Sequence, residues 1–139
     1  MNTLVDTSVW SLSLRRNPDD LSAEERQIVM ELREVIQEGR ARIIGPVRQE
    51  LLSGIRSPAQ YDKLCLTLRA FRDEMIDTTD FEAAAKARNE CRRKGIVAFT
   101  VDILICAVAL ARGWSIFTID PDFKNYAKVL PIKLHSVRR

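Results

Sequence analysis

The order of apolar and polar residues along the chain predicts strands alternating with helices. A short apolar run, Thr3-Leu4-Val5, ends abruptly at Asp6 and the hydroxyls of Thr7 and Ser8. It reads as a first, central strand that delivers an acid to the end of a sheet. Residues 6–14 fit a short helix, broken by Arg15-Arg16-Asn17-Pro18-Asp19-Asp20. Ser22 with Glu25 three residues on is a capping box, which predicts a helix over 23–38. Its apolar face is Ile28, Leu32, Val35 and Ile36, and Gly39 ends it.

Residues 41–44 read as a brief strand. Gly45-Pro46 then opens a helix with the stripe Val47, Leu51 and Ile55, near whose end Gly54 lies. Ser57-Pro58 opens another, where Tyr61, Leu64, Cys65 and Leu68 share one face. Residues 74–77 are a strand candidate. Thr79 with Glu82 forms a second capping box, for a helix that runs to Lys94 and closes at Gly95. Thr100 begins an Ala-rich helix to Arg112, with Gly113 at its end. A strand over 115–119, a turn at Asp120-Pro121-Asp122, a short helix and an edge strand over 133–137 complete the chain. The alternation predicts an α/β fold with a parallel sheet and helices on both faces. Ligands of such sheets sit beyond the C-terminal ends of the strands.

Composition narrows this picture. The 139 residues suit a single domain over 1–139, with 46% apolar and 29% charged residues. A net charge of +3 permits contact with a polyanion without demanding it. Cys65, Cys91 and Cys106 are odd in number and form no C-x-x-C pair. That argues against a disulfide framework and a zinc site, and favours a reducing, cytoplasmic setting. No signal-peptide pattern is present, and the longest apolar run, 103–111, is too short to span a bilayer, so no membrane partner is expected. The only histidine, His135, rules out a two-histidine nuclease and speaks against a Ser-His-Asp hydrolase. No phosphate-binding glycine loop of either nucleotide type occurs.

The candidate chemistry lies in acids. Each has an ordinary structural reading. Asp6 can cap the following helix, Glu50 can flank an apolar stripe, Asp102 can answer a helix dipole and Asp120 can make a turn. Yet Asp6, Asp102 and Asp120 all fall at a strand end or helix start on one predicted edge, and Glu50 comes from a helix that reaches the same mouth. One site is more economical than four coincidences. Crowded carboxylates stay ionised together only with a compensating cation, and hard oxygen donors favour Mg2+ or Mn2+. Such an ion activates water and neutralises charge on a phosphodiester. Ser8 and Thr118 are placed to hydrogen-bond a water or a phosphate oxygen.

At these residues the sequence resembles the PIN-domain family, and within it the VapC-like toxin ribonucleases of type II toxin–antitoxin pairs. Four stretches carry the resemblance and span most of the chain. They are Val5-Asp6-Thr7-Ser8, the helix Pro46 to Gly54 around Glu50, the helix from Asp102 to Ala109 with Cys106 where alanine is usual, and Thr118-Ile119-Asp120-Pro121-Asp122-Phe123. The resemblance implies a three-layer PIN-like fold with a central parallel sheet of four to five strands. It implies a Mg2+- or Mn2+-dependent endoribonuclease with Asp6, Glu50, Asp102 and Asp120 catalytic, and Asp6, Asp102 and Asp120 on the metal. Asp122, Ser8 and Thr118 are further candidates to touch metal or position water. Pro121 between the two aspartates leaves open which of Asp120 and Asp122 points inward. A homodimer and a cognate antitoxin that blocks the site are implied as well.

RNA held by its phosphates needs positive charge around the acids, for which Arg15, Arg16, Arg48, Arg92, Arg93 and Lys124 are candidates. The amphipathic helices over 23–38 and 59–68 offer a groove for a partner helix. Two other classes compete. One is a PIN-like module that grips RNA or protein without cutting. The other is a phospho-accepting signalling domain, which wants paired acids after the first strand, where this chain has Thr7 and Ser8.

Overall fold

A computed structural model describes residues 1–138. The first strand, β1 (Thr3–Val5), is buried along its whole length. It is central because both of its edges are taken, in the order β2-β1-β3. All pairings are parallel. On one side Thr3 lies opposite Ala41 and Leu4 opposite Arg42 of β2 (Ala41–Arg42). On the other, Thr3, Leu4 and Val5 face Ser115, Ile116 and Phe117 of β3 (Ser115–Phe117). Single parallel bridges, Ile43 with Asp73 and Ile116 with Leu134, extend the sheet outward at each edge. The expected α/β architecture therefore holds. The outer rows are single bridging residues rather than full strands: Leu134 within the expected 133–137, and Asp73 just ahead of the expected 74–77, which itself forms no strand.

The helices follow from local chemistry. Helix α1 (Thr7–Leu14) is capped by the Asp6 carboxylate, which accepts the Ser8 N–H. A 3-10 turn at Pro18–Asp20 leads to α2 (Ala23–Gln37). The capping box of Ser22 and Glu25 is complete there, with both reciprocal hydrogen bonds. The buried face of α2 is Val29, Glu31, Leu32 and Val35, while Ile28 and Ile36 pack at its margins. Glu31 is inside because Arg138 and His135 from the C-terminal segment reach it at 3.1 and 2.5 Å. That is the usual condition for a buried charge.

Helix α3 (Gly45–Leu52) carries proline in its first turn and buries Val47 and Leu51. Helix α4 (Pro58–Leu68) is capped by Ser57 and buries Leu64 and Leu68, whereas Tyr61, expected on that face, is exposed. The second capping box differs from expectation. It is formed by Asp77 and Asp80, not by Thr79 and Glu82, so α5 (Thr78–Arg93) starts earlier. Asp80 is fixed in that role because Arg112 grips its carboxylate at 2.5 and 2.9 Å.

Helix α6 (Thr100–Arg112) buries Ile103 through Ala109 without a break and ends at Gly113 in the left-handed conformation (φ 71°), where the chain must turn back toward β3. A last short helix, α7 (Asp122–Tyr126), buries Phe123 and Tyr126. No helix among the described residues is long and apolar enough to cross a membrane.

Candidate active site

Parallel pairing decides where the acids go. β1 and β3 run side by side and end together, and the Asp6 N–H donates to the Phe117 carbonyl at 2.8 Å. Asp6 therefore leaves β1 beside Thr118, which leaves β3. Asp6 is only 4% exposed, and its Oδ2 accepts the hydroxyls of Ser8 at 2.7 Å and Thr118 at 2.8 Å. The Thr118 oxygen in turn accepts the Asp120 N–H at 3.0 Å, and the Ser8 oxygen accepts the Ile119 N–H at 3.2 Å. Ser8 and Thr118 thus spend their protons on orienting Asp6 and their lone pairs on the turn that carries Asp120.

Asp102, Asp120 and Asp122 come together. One carboxylate oxygen from each lies within 4.8 Å of the others. Pro121 adopts a helical conformation (φ −62°, ψ −19°) and does not turn either neighbour away. Asp120 Oδ1 accepts the Asp122 N–H at 2.9 Å, which locks the two acids into one turn. Both acids therefore stand beside Asp102.

Two predicted residues stand apart from this trio. Asp6 lies outside it, though its charge is felt at Asp102. Glu50 is exposed on α3, and its Oε1 accepts the Thr7 hydroxyl at 2.7 Å. It is tied to the residue next to Asp6 rather than gathered with the aspartates. It lines a neighbouring cleft with Thr7, Gln49, Ser53 and Val101.

The electrostatics are those of a site short of positive charge. Burial pushes the Asp102 carboxyl up to about 6, the Tyr126 hydroxyl bond opposes that rise, and the charges of Asp6, Asp120 and Asp122 add to it. Tyr126 itself is raised by burial and by its bond to Asp102. Three hard oxygen donors at this spacing, with a carboxylate whose ionisation is held back by burial and then by its neighbours, fit a hard divalent cation and do not suit a soft one.

Tyr126 and Thr7 belong to this constellation and were not singled out from sequence. The signal for Tyr126 lay in its spacing: Phe123 and Tyr126 are three residues apart on a helix just after the acidic turn, and a buried tyrosine needs a partner for its hydroxyl. Among the basic candidates, Arg48 is not available to a ligand. It is bonded to Asp73 at 3.0 Å and to the carbonyls of Leu68 and Phe71. Arg16 faces Glu25 at 3.8 Å.

A parallel sheet that brings acids to the ends of β1 and β3 defines an α/β domain with a carboxylate centre. The PIN domain family pattern matches residues 3–129, so the chain belongs to that family. Among curated relatives, Ribonuclease VapC11 of Mycobacterium tuberculosis is 28% identical over 137 residues, covering 97% of this chain and 98% of that protein. Among solved structures, FitAcB from Neisseria gonorrhoeae superposes with a TM-score of 0.75 at 20% identity, covering 96% of each chain. VapBC2 from Rickettsia felis, bound to a DNA fragment from its promoter, gives 0.74 at 17% identity, covering 97% of this chain and 98% of that one.

Proposed function

We propose that the protein is a divalent-metal-dependent endoribonuclease and the toxin of a toxin–antitoxin pair, working in the cytoplasm on RNA phosphodiesters. The observation that carries this reading is the convergence of Asp102, Asp120 and Asp122 within 4.8 Å, beside a buried and doubly anchored Asp6. Relatives named VapC ribonucleases and solved VapBC assemblies support the ribonuclease activity and an antitoxin partner. A homodimer is part of the same reading.

Asp102, Asp120 and Asp122 would hold Mg2+ or Mn2+, with Asp6 completing the acidic wall. When bound, the ion supplies Lewis acidity toward the phosphate and toward water. The protein's own groups do the rest. Ser8 and Thr118 fix the Asp6 carboxylate in one orientation. Tyr126 donates to Asp102 Oδ2 and favours its ionised form. Glu50 keeps one carboxylate oxygen on Thr7, and the other would be available at the rim to take a proton from water.

Cleavage of a mixed-sequence RNA with Mn2+ tests the assignment, using purified wild type, D6N and D102N. Wild type should cut, and chelation or either substitution should abolish cutting with the fold intact. Full activity in folded D6N would overturn the assignment. Measurable RNA binding without cleavage would favour a non-cutting PIN-like binding module.

A further inference from the structure

Helix α5 stops at Gly95, which takes the left-handed conformation (φ 74°), and the chain then runs to α6 with two large apolar side chains in the open. Val97 is 74% and Phe99 57% exposed, and neither is packed on the core. Phe99 is the N-cap of α6 yet makes no side-chain cap bond. Its N–H donates to the Tyr126 hydroxyl oxygen at 3.5 Å, and that hydroxyl donates to Asp102 Oδ2 at 2.7 Å. An exposed aromatic ring thus begins two hydrogen bonds away from a carboxylate of the acidic centre. Ile119, 40% exposed, precedes Asp120.

Beside the same loop lies a cleft of about 260 Å3 lined by Arg88, Arg92, Gly95, Ile96, Val97 and Ala98. Arg88 and Arg92 are one helical turn apart and share a face of α5. Among the described residues neither enters an ion pair, whereas Arg40, Arg48, Arg112 and Arg138 all do. No carboxylate lines the cleft.

Phe99 follows Ala98, the last residue of the cleft wall, so one strand can meet both the ring and the unpaired guanidinium groups, and a ring with nearby cations is the composition that holds single-stranded nucleic acid. The base stacks on the ring and the backbone lies along the cations. A paired duplex keeps its bases stacked on each other and has none to offer the ring. We propose that Phe99 stacks a base of single-stranded RNA next to the phosphate that is cut, and that Arg88 and Arg92 receive a phosphate of the same strand. This assignment rests on the ribonuclease reading for its substrate, and adds to it the side chains that grip the strand.

Binding of a fluorescent 12-nucleotide RNA, read by anisotropy with calcium in place of magnesium, tests the assignment without requiring turnover. The comparison strand has the same backbone with its bases removed. F99A should weaken binding of the intact strand by about 5- to 100-fold and leave the abasic strand unaffected, and F99W should restore it. Replacing both Arg88 and Arg92 by alanine should weaken both strands alike and lower the salt slope by about one to two. Equal binding by F99A and wild type, or no binding by wild type, overturns the proposal. So does loss of a dimer in F99A with RNA affinity unchanged, which would make the ring a protein contact. D6N-sensitive cleavage with a neutral F99A removes the subsite alone. An F99A effect on binding without any cleavage removes the ribonuclease reading alone.

Discussion

The Tyr126 hydroxyl donates to Asp102 Oδ2 at 2.7 Å, joining α7 to the first turn of α6 at an acid whose ionisation burial opposes. Tyr126 is fully buried, so the bond is sheltered from water and its direction is fixed. Of the influences on Asp102, this is the one that favours ionisation. Burial and three neighbouring carboxylates oppose it. Tyr126 is therefore a positioning residue, acting on a cation through the acid it touches.

Tyr126→Phe should keep the ring packing and remove only this donor. The Asp102 pKa then rises further, and Mn2+ affinity near neutral pH falls by about 10-fold, as for other lost partners of metal-binding acids. Calorimetric titration with Mn2+ at pH 6 and pH 8 reads it directly. The deficit should be larger at pH 6, where more of Asp102 is protonated. An equal deficit at both values would point to altered packing instead.

Asp102→Asn should stabilise the metal-free protein at neutral pH while removing activity. A carboxyl raised from 3.8 to about 6 on folding binds its proton more tightly in the folded state than in the unfolded one. Its penalty is absent below about 4, grows as pH rises through about 6, and is constant above that. After discounting for solvent screening, the penalty is about 1 kcal/mol, or about 3 °C in melting temperature. Thermal melts with chelator should show D102N above wild type by this amount at pH 7.5, with the gap about halved near pH 5 and closed below about pH 4.

The legible parts of this molecule were those with local signatures. The Ser22–Glu25 box, the Gly-terminated α6 and the acid at the end of β1 each follow from residues a few positions apart. Parallel pairing was implied by the alternation of elements, and it is what brings Asp6 beside Thr118. The unread parts depend on partners far away in the chain. Asp77–Asp80 displaced Thr79–Glu82 as the cap because Arg112, 32 residues further on, holds Asp80. Glu31 faces inward because His135 and Arg138 come back to meet it. The role of Tyr126 was hidden for the same reason, since its acid lies 24 residues earlier.

Thr118→Val should damage the site by loosening Asp6 rather than by removing an acid. The hydroxyl gives its proton to Asp6 Oδ2 at 2.8 Å and accepts the Asp120 N–H at 3.0 Å, so one isosteric change frees both acids. RNA cleavage with saturating Mn2+ should fall by about 10-fold, and Thr118→Ser should recover most of it. Wild-type turnover by the valine variant would show that Ser8 alone suffices to orient Asp6.

The pair Asp80–Arg112 carries the opposite pH dependence to Asp102, and lies at the other end of α6. Arg112 bonds Asp80 at 2.5 and 2.9 Å, reaches Glu74 at 3.3 Å and donates to the Met75 carbonyl at 2.8 Å, which pins the entrance of α5 to the end of α6. The Arg112 bond is the main cause holding the Asp80 carboxyl below its usual range. Stability from a lowered carboxyl is present above its unfolded value near 4 and is lost as pH falls below it. Arg112→Ala leaves Asp80 buried without its countercharge, and should cost about 3 kcal/mol at pH 7 by urea unfolding. At pH 3 the same substitution should cost less, because the Asp80 carboxyl, no longer held down by Arg112, takes up a proton in the variant and sheds its unpaired charge. Mn2+ affinity should not change, since about three helical turns separate Arg112 from Asp102. A cost that stayed constant from pH 7 to pH 3 would assign the loss to packing of the arginine stem and not to the ion pair.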